Sequence, residues 1–142
     1  MAKVFTFLLC IGILVFSCRE NGPRTIAVLT LVDTDQSWDG NKLPKYPEGP
    51  PQIKILKYTI PPQTKLPTHE HLVINAGVLL SGELTVVDEN NNTLYLRAGD
   101  PIVELVNTFH YGKNEGTEPA EIIVFYAGAK DVPITVKKKT KN

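Results

Sequence analysis

From Thr25 to the C-terminal lysines the sequence never sustains the 3.6-residue recurrence of apolar positions that an amphipathic helix requires. It breaks instead into short runs rich in Val, Ile, Leu, Thr and Tyr, separated by clusters of Gly, Pro and Asn. Runs bounded in this way are strands, and the pattern predicts them near 25–32, 53–60, 72–80, 83–88, 93–97, 101–107, 109–112, 120–127 and 132–137. Many short strands at even spacing bury their apolar faces as a sandwich or a closed barrel. Two connections are marked: Ser81-Gly82 as a tight turn, and Asp88-Glu89-Asn90-Asn91-Asn92 as a hairpin loop whose asparagines tolerate left-handed backbone.

Ahead of these runs stands MAKVFTFLLCIGILVFSCRE. One lysine followed by the apolar stretch Val4 to Phe16 has the form of a secretion signal. Arg19 and Glu20 cut it short of the roughly 20 residues that a spanning helix needs. Val15-Phe16-Ser17-Cys18 resembles a bacterial lipobox, in which the cysteine becomes the lipid-bearing first residue, and it also fits an ordinary signal-peptidase site. The lipoprotein reading accounts for Cys18, a free thiol once Cys10 leaves with the signal. The expectation is a signal over 1–17 and an exported protein, periplasmic or of the cell envelope, that meets the membrane only through a lipid on Cys18. Arg19, next to that cysteine, leans towards the outer membrane.

About 125 residues remain, enough for one domain with a core and no disulfide. The chain has 15 basic and 15 acidic residues, so loss of Lys3 leaves a formal charge of −1, and nothing points to a nucleic-acid partner. The terminal VKKKTK is a solvated tail or a contact for anionic lipid. DTDQSWDGNKLPKYPEGPPQ, Asp33 to Gln52, is too rich in Pro and Gly for regular structure, yet it holds the only tryptophan, Trp38, and Tyr46. It is expected to be an arm lying across the barrel or a neighbouring subunit, or else a linker. The chain then divides into an arm over 18–52, a barrel over 53–137 and a basic tail over 138–142. Exposed strand edges in such a barrel call for a cover, so a homodimer is expected.

Two of the three histidines sit in PTHEHLVINAGVLLSGELTV, Pro67 to Val86. On a strand, residues of equal parity share a face, so His69, His71, Val73, Asn75, Gly77 and Leu79 point the same way. His110 follows His71 by 39 residues, a separation that a barrel can close. An isolated HxH is either a ligand pair or two solvated imidazoles. Glu104 lies in the apolar PIVELV, where Ile102, Glu104 and Val106 share one face and Val103, Leu105 and Asn107 the other, so parity alone leaves open whether the acid faces solvent or the interior. Phe109, Tyr111, Phe125 and Tyr126 read as core or interface, with Tyr126 and Trp38 as candidates to line a pocket. No nucleophile elbow or phosphate loop is present.

The spacing resembles that of the cupin family. That family's first motif has HxH, three or four residues, Glu, six residues, Gly; here it is His69-Glu70-His71, then Asn75, then Gly82. Its second runs Gly, five residues, Pro-x-Gly, two residues, His, three residues, Asn; here Gly99, Leu105-Val106-Asn107, His110 and Asn114 occupy the frame. Leu105 and Asn107 depart from the usual Pro and Gly, so the bend before His110 is expected to be built differently.

The resemblance covers roughly Ile53 to Ala127 and implies an all-β, antiparallel jelly-roll barrel with a divalent transition metal (Fe, Mn, Zn or Ni) held by His69, His71 and His110. Asn75 stands where the family has a carboxylate ligand, and an amide oxygen is a weak, neutral donor. Three neutral ligands would leave the full 2+ charge on the metal and favour a small chelating anion. Loss of the carboxylate is also compatible, as the lesser alternative, with a site that no longer binds metal tightly. The implied activity is a metal-dependent dioxygenase or isomerase in which Asn75 or Glu104 handles a proton or hydrogen bond; the other implication is a non-catalytic module that binds or senses a small ligand or metal.

Overall fold

Alternation decides which face of the central strand is buried. From His71 to Leu79 the odd residues are buried while Leu72, Ile74, Ala76 and Val78 are half-exposed, as a pleated strand with one face on a core requires. A computed structural model describes residues 25–139; the predicted signal over 1–17, Cys18 and the last residues of the basic tail lie outside the described residues. Among the described residues there is no helix.

Ten strands form: β1 (Pro51–Ile60), β2 (Thr64–Lys65), β3 (His69–Glu70), β4 (Ile74–Ser81), β5 (Glu83–Asp88), β6 (Thr93–Arg97), β7 (Pro101–Val103), β8 (His110–Asn114), β9 (Ala120–Ala129) and β10 (Val136–Lys137). One sheet runs β1-β9-β4-β7 and the other β10-β3-β8-β5-β6, with β2 also beside β8. Every pairing of these strands is antiparallel. The architecture is an antiparallel jelly roll, a double-stranded β-helix.

Between the sheets lie Ile60, Val73, Leu79, Leu84, Val86, Leu96, Ile102, Ile122, Val124 and Tyr126. Each fully buried aliphatic side chain contributes about 1.5–3 kcal/mol, so these rows hold the two sheets face to face.

The turns follow local chemistry. Gly82 has φ 74, and a Cβ there would sit 2.6 Å from the Pro119 carbonyl oxygen, so only glycine fits between β4 and β5. In the β5–β6 hairpin the Asp88 carboxylate accepts the main-chain N–H groups of Asn90 and Asn92, both at 2.8 Å, while Asn91 takes φ 65.

Three sequence expectations change. Residues 25–32, with the composition of a strand, form none. A strand needs an edge to pair with, and beside β7 the Trp38 N–H already donates to the Val103 carbonyl at 2.9 Å. Ile26 and Leu29 are 95% and 80% exposed, whereas Thr30, Leu31 and Val32 border a shallow groove with Ala76, Val78, Pro101 and Phe125. The strand expected over 101–107 stops at Val103 because the chain crosses between sheets: Val106 bridges to His71 and Asn107 takes φ 58. The last strand shrinks from 132–137 to Val136–Lys137, since Asp131 has φ 67 and Pro133 lacks an N–H to pair.

Candidate metal centre

The three histidines meet because β3 and β8 pair antiparallel with His69 directly opposite His110. His71, two residues on, returns to the same side by parity and docks on the crossing loop, where its carbonyl accepts the Asn107 N–H at 2.8 Å. The bend expected to differ for want of glycine is made with Asn107 itself in the left-handed region, which asparagine tolerates.

Ring centroids are 5.0 Å (His69–His71), 4.6 Å (His69–His110) and 5.1 Å (His71–His110) apart, and one nitrogen from each ring lies within 4.8 Å of the others. The Nδ1 atoms are all committed to main-chain carbonyls: His69 to Pro67 at 2.8 Å, His71 to Ile134 at 3.0 Å and His110 to Thr108 at 2.9 Å. A carbonyl only accepts, so each Nδ1 carries the hydrogen and each Nε2 keeps its lone pair. Thr135 Oγ1, 3.2 Å from His71 Nδ1, steadies that ring further.

Glu104 resolves the ambiguity of parity. Beyond the end of β7 both Glu104 and Leu105 are buried, and the Glu104 N–H donates to the Asn75 carbonyl at 3.1 Å. The side chain turns inward, placing Oε2 3.6 Å from His110 Nε2, and both atoms are buried without a hydrogen-bond partner. Burial pushes the Glu104 carboxyl up to about 7, partly opposed by His69. Burial also lowers all three imidazoles, His71 to about 3 with His110 and His69 adding to the effect.

Neutral imidazoles with their lone pairs gathered around one point, beside a carboxylate oxygen left without a donor, are costly unless a cation joins them. Three imidazole nitrogens and one oxygen are a donor set for a divalent transition metal. The residues therefore fit the metal; His69, His71 and His110 are able to hold it, with Glu104 beside them.

Asn75 is 1% exposed. Its Nδ2 donates to the Val73 carbonyl at 3.2 Å, its Oδ1 lacks a partner, and its carbonyl fixes Glu104. Tyr126 borders the same cavity as the histidines; its hydroxyl lies 3.1 Å from that of Tyr58, its ring is 5.6 Å from His71, and burial raises its pKa. Trp38 packs against the core next to β7 and is not among the residues lining that cavity.

The cavity holds about 190 Å³, with Tyr58, Leu84, Val86, Ile122 and Val124 among its walls. Sequence reasoning did not identify Tyr58, Ile134, Thr135 or Lys137 at the site. The C-terminal residues lie more than 60 positions from His71, with no local signal to tie them to it; the parity of Tyr58 with Ile60 was the one available cue.

A jelly roll with three imidazoles converging on one point, able to hold a metal, defines the class. The Cupin domain family matches residues 56–126, half of the chain, and the chain belongs to that family. No curated protein matches it. Among solved structures it is similar to an uncharacterized conserved protein with a double-stranded β-helix domain from Klebsiella pneumoniae, at 18% identity and TM-score 0.54, covering 68% of this chain and 90% of that one. It is also similar to an oxalate oxidase in complex with the substrate analogue glycolate (22%, TM-score 0.52, 60% and 45%). A third is a DMSP lyase from Ruegeria pomeroyi (19%, TM-score 0.54, 61% and 43%). The chain spans less than half of the oxidase and lyase chains, and at these identities the likeness is one of fold.

Proposed function

We propose that this cupin holds one divalent transition metal, Fe, Mn, Zn or Ni, on His69, His71 and His110 and uses it on a small chelating anion, as a dioxygenase or an isomerase. The observation that carries the proposal is the common fate of the three Nδ1 atoms, each tied to a carbonyl so that the Nε2 lone pairs are left for an ion. The metal would supply Lewis acidity and a place for the anion to chelate. Glu104, raised to about 7 and 3.6 Å from His110, either completes the ligand set or accepts a proton from the bound anion. Asn75 holds the Glu104 backbone in place. Oxalate oxidase and DMSP lyase share the fold, which supports a small-molecule substrate.

A non-catalytic module that captures a small ligand or metal is the second reading. It is favoured by the mutual Tyr58–Tyr126 hydrogen bond, which occupies both hydroxyls, and by Glu104 being the one carboxylic acid among the described residues that line the cavity.

In our reading the protein works at the cell envelope or in the periplasm, exported by the 1–17 signal and held by a lipid on Cys18, with the outer membrane preferred. We also infer a homodimer. The outer face of the β1-β9-β4-β7 sheet exposes Ile53, Ile55, Leu80 and Phe125, and the arm exposes Ile26, Val28 and Leu29. An antiparallel sheet with water on one face carries polar residues there; this one asks for a cover.

Elemental analysis of protein purified without added metal is the test. One equivalent of metal is expected, and none in His71→Ala; equal metal in both refutes the site. Bound, redox-active iron or manganese favours the enzyme, whereas zinc with no oxygen uptake on any chelating anion favours the module.

A further inference from the structure

The space behind the histidines differs in chemistry from the histidines themselves. Antiparallel register stacks the inward residues in layers. Asp88, on β5, is paired with His110, on β8; the next inward pair is Val86 with Gly112, and Leu84 follows on β5. On β9 the inward sequence from Tyr126 is Val124, then Ile122. Ile60 and Leu66 close the same space. One end of the cavity thus holds the three imidazoles and Glu104, with Tyr126 beside His71 and Tyr58 bonded to Tyr126, and the layers behind them are aliphatic.

Among the described residues the only lysine or arginine lining it is Lys137, exposed at the rim on β10, where its Cα is paired with that of His69. A compact dianion would have its second charge set against hydrocarbon, Glu104 or the Tyr58 and Tyr126 hydroxyls, which are bonded to each other, with no buried lysine or arginine among the described lining residues to receive it, and an unpaired buried charge is prohibitive. A ligand with one chelating charge and an apolar body meets no such penalty.

We propose that the ligand of this site is a monoanionic chelator bearing a short aliphatic tail, its head at the histidine Nε2 atoms and its tail in the aliphatic interior. This rests on the metal-site reading given above. The cavity of about 190 Å³ is closed by Ile60 and Leu66, which limits the tail to a short chain. Gly112 keeps this space open. A Cβ there would lie 3.4 Å from Leu66 Cδ1 and 3.5 Å from Leu84 Cδ1, so alanine fits and a longer side chain would occupy the tail's place.

The test uses the full chain loaded with Co(II), elemental analysis to establish the cobalt stoichiometry, and the visible cobalt spectrum to follow binding of straight-chain hydroxamates from acetohydroxamate to octanohydroxamate, with oxalate alongside. Affinity is expected to rise about three- to fourfold per methylene over the first members, to level off before octanohydroxamate, and to leave oxalate weaker than the best alkyl probe. In Gly112→Leu the ratio of hexano- to acetohydroxamate affinity should collapse towards one. In Leu84→Ala, which enlarges the space and guards against a failure of the first variant to fold, the plateau should move to longer chains. Bound cobalt with affinities flat along the series, or with oxalate tightest, overturns this proposal and leaves the metal site standing. Absence of bound cobalt overturns both.

Discussion

Glu104→Gln should make the metal-free protein more stable at alkaline pH while weakening its hold on metal. Glu104 is buried, and its Oε2 has no hydrogen-bond partner. Burial takes its carboxyl from 4.5 to about 7, so the folded state binds the proton more tightly than the unfolded chain. Because the folded-state value is raised, stability falls as pH rises from 4.5 to about 7, and the full cost persists above 7. At 1.36 kcal/mol per pH unit this amounts to about 3 kcal/mol. Glutamine removes the charge at nearly the same volume.

In a chain of this size a stability change of that magnitude moves Tm on the order of 10 °C. The assay is thermal melting of both proteins in EDTA at pH 8.5 and at pH 4. The pH 4 pair, in which the acid is protonated in both states, reports whatever the amide itself costs. The lowered imidazoles are common to both proteins and cancel in the difference. A Glu104→Gln advantage that does not grow between pH 4 and pH 8.5 would show that Glu104 is not held charged and unpaired beside His110. In the same samples, competition with a chelator should show weaker metal binding for the variant.

Asn114 donates to the Ile60 and Glu118 carbonyls at 3.0 and 2.8 Å and accepts the Gly116 N–H at 3.0 Å, so Asn114→Ala should cost roughly 3 kcal/mol; a loss below about 1 kcal/mol in urea unfolding would contradict that account. Phe125→Glu, at a half-exposed position on the outer sheet face, should turn the inferred dimer into a monomer by light scattering without loss of bound metal. A parent protein that is already monomeric at high concentration would refute the dimer.

Much of the barrel was legible because the pleat is a local rule. Parity placed His71, Val73, Asn75 and Leu79 on one face, and Asp88 with Asn91 announced its hairpin through side chains that bond their own loop. The spacing of His69, His71, His110 and Asn114 carried the family frame, and Asn107, at the frame's glycine position, makes the bend with its own φ of 58.

What stayed hidden depends on distant pairing. Parity could not orient Glu104, because β7 ends one residue before it and the crossing segment follows no pleat. Residues 25–32 have strand composition but no described edge to join. The partners of His71 at Ile134 and Thr135 come from the far end of the chain, where sequence proximity gives no hint.

That last contact ties the centre to a segment remote from it in sequence. A polypeptide ending before Ile134 would still carry all three imidazoles, yet His71 would have nothing to fix which nitrogen it offers. The segment carrying Ile134 and Thr135 must therefore dock before His71 presents a fixed nitrogen, so the geometry of the three imidazoles waits on a contact that spans more than 60 residues.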